Sequence, residues 1–205
     1  MDKRLKEIKK ARREIMLKKR EDFYKTSPDL HSKYSQKIME TLKGTAEYKN
    51  ASTVMCFVSF GDEVITHEFI KDMIKHGKRV CVPYIIKGKK IMVPSQITDF
   101  DKDLKPGYYN ILAPTEESLN IIPGDSVDLI VTPGVIFDKK GYRIGYGAGF
   151  YDKFFASLTK EVPKIAIAFS LQQAIDVPKD EYDIPVDKLI TEKGITYFNS
   201  GSNDN

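Results

Sequence analysis

Thr53 to Ile86 reads TVMCFVSFGDEVITHEFIKDMIKHGKRVCVPYII, and this run decides the fold class. Its two ends, Thr53 to Ser59 and Arg79 to Ile86, are apolar and rich in β-branched residues, as expected of strands buried on both faces. Between them, Thr66 to His76 has helical spacing. Phe69, Ile70, Met73 and Ile74 face inward, Thr66 stands at the N-cap position and Gly77 at the stop. Strand, helix and strand within about thirty residues make a βαβ unit, which builds a parallel sheet through a right-handed crossover.

The alternation continues on both sides of this unit. Downstream, Lys87 to Lys90 (KGKK) reads as a hairpin turn into Ile91 to Val93, which adds an antiparallel element. A polar, proline-containing region then runs to Gly124, followed by a strand at Val127 to Val131, a glycine-rich turn, a helix from Phe150 to Leu158 and a strand at Lys164 to Phe169. Upstream, Met1 to Arg20 and Asp29 to Leu42 read as helices. The expected architecture is a single three-layer α/β/α domain over residues 1–198, with a largely parallel, mixed central sheet. The small polar residues 199–205 are expected to form a flexible tail.

Composition limits what such a domain can be. The chain has 205 residues, 41% of them hydrophobic, with 11 Tyr and 11 Phe, which is enough for a core. It has no apolar run long enough to span a bilayer and a charged rather than apolar start, so a cytoplasmic protein without a membrane partner is expected. Cys56 and Cys81 lie inside strand-like runs and read as reduced core residues. Residues 1–20 carry ten Lys and Arg against Asp2, Glu7 and Glu14. Leu5, Ile8, Ile15 and Met16 give that helix an apolar stripe. Its basic face is either solvated, a nucleic-acid arm, or more specific: Lys9 and Arg13 lie four apart and can meet one phosphate chain. No aromatic interleaving or binding motif accompanies the charges, so a nucleic-acid partner is not expected.

The chemistry concentrates in Val131 to Asp152, VTPGVIFDKKGYRIGYGAGFYD. A strand is stopped by Pro133-Gly134, and after Arg143 glycines fall at positions 145, 147 and 149 before a helix. Such a turn exposes backbone N–H groups without a Cβ to keep an anion away. It is neither a dinucleotide fingerprint, since Phe150 stands in the place of the third glycine, nor a P-loop. Spacing alone also allows a tight structural turn. Arg143 adds a fixed fork for phosphate oxygens, and Asp152 adds a hard oxygen ligand suited to magnesium, or a carboxylate that offsets the helix dipole.

These residues resemble the 5-formyltetrahydrofolate cyclo-ligase family. The signature runs from Pro133-Gly134 through Phe137-Asp138, Gly141 and Arg143-Ile144-Gly145-Tyr146-Gly147 to Gly149-Phe150-Tyr151-Asp152. Lys9 and Arg13 resemble the family's N-terminal pair that holds nucleotide phosphates. Asp62-Glu63-Val64 with Thr66 resembles its folate-contacting stretch, and Val177-Pro178 with Asp183 and Asp187 resembles its C-terminal acidic segment. Two positions depart from the pattern. Ala148 removes a side-chain phosphate contact, and Arg12 stands where an apolar residue is usual, which leaves Lys10 and Arg12 as substitutes for Lys9 and Arg13.

The resemblance implies an ATP-dependent ring closure: 5-formyltetrahydrofolate and ATP give 5,10-methenyltetrahydrofolate, ADP and phosphate, with Mg2+ as the cofactor. The formyl oxygen attacks the γ-phosphate, folate nitrogen 10 adds to the activated carbon, and phosphate leaves. This chemistry asks for positioning and charge neutralisation rather than a strong base. The resemblance implies ATP contacts from Lys9, Arg13 and the run Arg143, Ile144, Gly145, Tyr146, Gly147, Ala148, Gly149, Phe150 and Tyr151, with Arg143 and Tyr151 closest to catalysis. Tyr146 to Phe150 also face the folate, together with Glu63 at its donor edge and Val58 as an apolar wall. Asp152 and Asp183 are the metal candidates. Asp187 competes with Asp183, which can equally be a turn residue before Pro185. The expected state is a monomer or weak dimer. A different phosphate-handling enzyme on a related scaffold and an anion-binding regulator are the competing readings.

Overall fold

The computed structural model describes residues 2–107 and 111–198, so the tail at 199–205 and Tyr108 and Tyr109 beside the Gly107 turn lie outside the described residues. Helices α1 (Lys3–Thr26), α2 (Pro28–Gly44) and α3 (Ala46–Asn50) precede β1 (Thr53–Cys56), α4 (His67–Lys75) and β2 (Arg79–Ile85). Next come β3 (Met92–Ile97), α5 (Phe100–Asp103), β4 (Leu104–Pro106), β5 (Leu112–Pro114), β6 (Leu129–Thr132), β7 (Ile136–Phe137) and β8 (Arg143–Ile144). The chain closes with α6 (Phe150–Ala156), β9 (Lys164–Ile167), β10 (Lys188–Thr191) and β11 (Gly194–Tyr197).

Seven strands form one sheet in the order β11-β10-β9-β6-β1-β2-β3. The inner five run parallel, while β3 and β11 pair antiparallel at the two edges. The mixed, largely parallel sheet expected from the βαβ reading is therefore present. Its period of two is legible in the packing. Val54, Cys56, Val80, Val82, Leu129 and Val131 face α2 and α4, through Ile38, Leu42, Phe69 and Met73. Met55, Cys81 and Ile130 face the other way, against Phe154 and Phe155 of α6. Cys56 and Cys81 thus occupy opposite faces of neighbouring strands, and both are free thiols. Burial pushes both thiols upward, Cys81 to about 12. On the β3 edge, Pro94 stands opposite Pro83, Ile122 N–H donates to Pro94 O at 3.1 Å, and Gln96 N–H donates to Asn120 O at 2.8 Å.

Several expectations change. The first strand ends at Cys56, not Ser59, because residues 57–66 leave the sheet as a loop. Thr66 makes no side-chain cap. Its hydroxyl donates to Phe57 O and accepts from Ser59 N–H at 2.9 Å, while Thr66 N–H donates to Ser59 Oγ at 3.0 Å, which staples the loop shut. The apolar stripe of α1 is also different. Ile8 and Ile15 are 40% and 60% exposed, and the buried residues are Lys9, Met16 and Arg20. The helix packs on apolar residues through Met16, Leu17 and Phe23 and lies over a polar site through Lys9 and Arg20, so its inward face is part apolar and part cationic. The β10–β11 hairpin, turned through Glu192 and Lys193, is an addition to the elements expected from sequence. No described helix is long and apolar enough to cross a membrane.

Candidate active site

The chain passes from β1 to β2 on one side of the sheet and from β6 to β9 to β10 on the other, so the order reverses between β1 and β6. In open α/β sheets, ligands bind outside the carboxyl ends of the strands at such a switch. Here β1 delivers the stapled loop with Val58, Asp62 and Glu63, and β6 delivers Pro133, the β7–β8 hairpin and the glycine run. Asp138 closes that hairpin, its Oδ1 accepting the N–H groups of Lys140 at 2.8 Å and Tyr142 at 3.0 Å. Arg143 is thereby held at the site.

A cavity of about 510 Å³ opens there, and Lys9, Arg13, Arg143, the run from Ile144 to Asp152 and Asp183 all line it. With Met92 of β3, which also lines it, residues from four separate parts of the sequence converge there. Arg143 donates from Nη1 to Ile184 O at 2.6 Å and from Nη2 to Asp152 Oδ1 at 2.9 Å, and its guanidinium stands 4.9 Å from the Phe155 ring centre. Burial depresses this guanidinium, and Asp152 opposes that effect. Lys9 pairs with Asp183. Arg13 donates from Nε to Gly145 O at 2.6 Å, and its guanidinium lies over Gly147, 3.3 Å from where a Cβ would sit. Gly147 has φ 107°, a backbone conformation that favours glycine. Among the described residues, no N–H from Gly145 to Gly149 donates to a protein acceptor.

The geometry also separates the alternatives. Arg12 turns outward to Asp176, with Nη1 2.9 Å from its carbonyl, and Lys10 makes an exposed pair with Glu14, so Lys9 and Arg13 are the cavity pair. Asp187 accepts from Lys164 N–H at 2.7 Å away from the cavity, whereas Asp183 lines it. Ile144 presents backbone, since its side chain is buried in the core. The Tyr151 hydroxyl is buried without a partner among the described residues, and burial holds it well above its ordinary pKa as a neutral donor.

Val58 and Glu63 do not line this cavity. Val58 is buried in the main core. Glu63 lies behind Tyr146, whose hydroxyl donates to Glu63 Oε1 at 2.6 Å, and Glu63 Oε2 accepts from Phe60 N–H at 3.1 Å. A residue missed from sequence completes this group. Arg20, 2% exposed, donates to Asp62 and to the Tyr146 hydroxyl. Its signal was its place at the 9, 13, 16, 20 positions of α1, one helical face shared with Lys9 and Arg13.

Among the described residues, no three His, Cys, Asp or Glu side chains gather as a metal cluster. Asp152 and Asp183 still suit a magnesium ion carried by a phosphate ligand. Each lines the cavity, and each keeps one carboxylate oxygen without a partner among the described residues, Oδ2 of Asp152 and Oδ1 of Asp183. Magnesium is commonly held by one or two carboxylates, with substrate phosphates and water completing its shell.

The chain is similar to known proteins over most of its length. A mouse 5-formyltetrahydrofolate cyclo-ligase is 32% identical over 167 residues, covering 77% of this chain and 82% of its own length. The structure of 5,10-methenyltetrahydrofolate synthetase from Aquifex aeolicus superposes with a TM-score of 0.81 at 28% identity, over 97% of this chain and 96% of that one. The synthetase from Mycoplasma pneumoniae gives 0.70 at 25% identity, over 90% and 98%. The profile of the 5-formyltetrahydrofolate cyclo-ligase family matches residues 3–192, and the chain belongs to that family.

Proposed function

We propose that this enzyme closes 5-formyltetrahydrofolate to 5,10-methenyltetrahydrofolate, using ATP and releasing ADP and phosphate at the β1–β6 switch point. The observation that carries the ATP-dependent part is that Lys9, Arg13 and Arg143 line one cavity with the run Gly145 to Gly149, whose five backbone N–H groups have no protein acceptor among the described residues. That set suits a triphosphate.

In the reaction the formyl oxygen attacks the γ-phosphorus, the bond from that phosphorus to the bridging oxygen breaks, and ADP leaves. Nitrogen 10 then adds to the activated carbon, the carbon–oxygen bond to phosphate breaks, and the nitrogen loses its proton. Lys9, Arg13 and Arg143 neutralise charge on the phosphates, and the Tyr151 hydroxyl donates to a phosphate oxygen. Asp152 and Asp183 would hold Mg2+, which supplies charge neutralisation and orientation of the phosphates when bound. On the folate side, Tyr146 to Phe150 face the ring, and Glu63, behind Tyr146 and outside the present cavity lining, accepts from its donor edge, with Val58 as apolar backing in the core. Each carboxylate oxygen has two lone pairs, so Glu63 keeps acceptor capacity beyond its bonds to Tyr146 and Phe60.

The deciding experiment adds 5-formyltetrahydrofolate, ATP and magnesium to the purified protein and follows near-ultraviolet absorbance. An ATP-dependent rise is expected, and no rise sinks the activity. Removing magnesium with a chelator is expected to stop turnover and resupply to restore it. Turnover that persists in chelator refutes the metal role of Asp152 and Asp183. Arg13→Met is expected to raise KM for ATP roughly ten- to hundredfold, the loss of one charge-assisted contact, with KM for the folate little changed. Equal shifts in both constants would contradict a nucleotide-specific role.

A further inference from the structure

We infer that Arg20 is a positioning residue that sets the direction of the hydrogen bonds from Tyr146 to Glu63 and so keeps Glu63 an acceptor for the folate. The inference rests on the folate role proposed above for Glu63. Arg20 does not line the phosphate cavity, and its side chain is 2% exposed. A single nitrogen, Nη2, donates to Asp62 Oδ1 at 2.8 Å and to the Tyr146 hydroxyl at 2.9 Å. A guanidinium cannot accept a hydrogen bond, so at that contact the phenol oxygen is the acceptor. The phenol has one proton to give, and it goes to Glu63 Oε1 at 2.6 Å. Phe60 N–H then occupies Oε2. Both contacts to Glu63 are thus donors, an arrangement that suits an ionised, acceptor-only carboxylate.

The charges around Glu63 make the same demand. Facing it are Arg20 from α1, Asp62 from the stapled loop, Tyr146 from the glycine run, Cys56 at the end of β1 and Tyr151 on α6. The thiol and both phenols are neutral, which leaves one cation to offset two carboxylates. Burial pushes Glu63 toward its neutral form, and Arg20 is the largest opposing influence. Without Arg20, Glu63 takes up a proton, Tyr146 is free to turn, and the donor edge of the pterin meets an acid rather than an acceptor. A buried donor left unpaired in this way weakens binding steeply. Arg20 lies seven residues beyond Arg13, so one helix holds Gly145 of the phosphate side and Asp62 of the folate side.

The test compares Arg20→Met, Arg20→Lys and Tyr146→Phe. Arg20→Met is expected to raise KM for 5-formyltetrahydrofolate at least roughly tenfold. KM for ATP is expected to stay near its original value, and the acid limb of kcat/KM for the folate to move to higher pH. Lysine can make both bonds from one nitrogen, so Arg20→Lys is expected to restore most of the loss and return the limb. Tyr146→Phe keeps the Arg20–Asp62 pair but cuts the link to Glu63, and it should move the same limb even if Arg20→Met fails to fold. Unmoved limbs in both variants, or equal changes in the two KM values, overturn the inference. A wild-type chain without turnover overturns the cyclo-ligase reading as well, whereas an active wild type with unresponsive variants overturns the role of Arg20 alone.

Discussion

Asp152→Asn is expected to lower kcat by a factor on the order of 10³ while the protein still folds cooperatively. Asparagine is isosteric, and its Oδ1 can keep accepting from Arg143 Nη2 and from Ile184 N–H, now at 2.9 Å and 3.2 Å. The local scaffold should survive at a cost of about 1–3 kcal/mol, that of weakening a bond to a buried charged group. What the substitution removes is the negative charge beside Arg143 and the partnerless Oδ2, which becomes an NH2 donor facing the cavity. A donor there repels a cation and cannot ligate it. Steady-state turnover at saturating substrates, with thermal unfolding monitored in parallel, checks the prediction. Unchanged magnesium-dependent turnover would show that Asp152 serves only to hold Arg143.

Gly141→Ala is expected to cause a large loss of stability for the addition of a single methyl group. Gly141 has φ 84°, and a Cβ there would sit 2.5 Å from Val186 O and 2.9 Å from Phe198 Cδ2. The first contact is with backbone, so no side-chain rotation relieves it. Val186 N–H also donates to Gly141 O at 2.9 Å, which ties the β7–β8 turn to the segment entering β10. Left-handed strain and forced separation together should cost roughly 3–5 kcal/mol. For a chain of this size that lowers Tm on the order of 10 °C. Gly145→Ala is the control, because a Cβ there meets nothing within 4 Å and φ is not positive. It should melt like the parent, with any loss confined to nucleotide binding. Equal melting of the two variants would refute the argument.

The parts of the fold that were legible are those where the hydrophobic pattern had only the core to answer to. Thr53 to Ile86 announced its βαβ unit because its strands are buried on both faces and its helix packs through Phe69, Ile70 and Met73. Helix α1 misled for the opposite reason. Its apolar residues at positions 8 and 15 are exposed, and its inward face serves charge. The glycine run and Arg143 were readable as a phosphate grip, yet nothing in spacing tied Asp183 to Lys9, since their ion pair bridges 174 positions. Glu63 came from the resemblance, and its burial behind Tyr146 is a property of the stapled loop that the staple residues Ser59 and Thr66 do not advertise.

The proline pair on the β3 edge matters for how the protein behaves in a crowded solution. An edge strand with free N–H and C=O groups is a template on which a second chain can pair. Here Pro94 offers no N–H, its carbonyl is taken by Ile122, and Gln96 N–H is taken by Asn120. The opposite edge, β11, is only four residues long. A sheet whose interior is almost wholly apolar therefore ends in one strand that is covered and one that is short, and polymer growth by strand addition has no long open edge from which to begin.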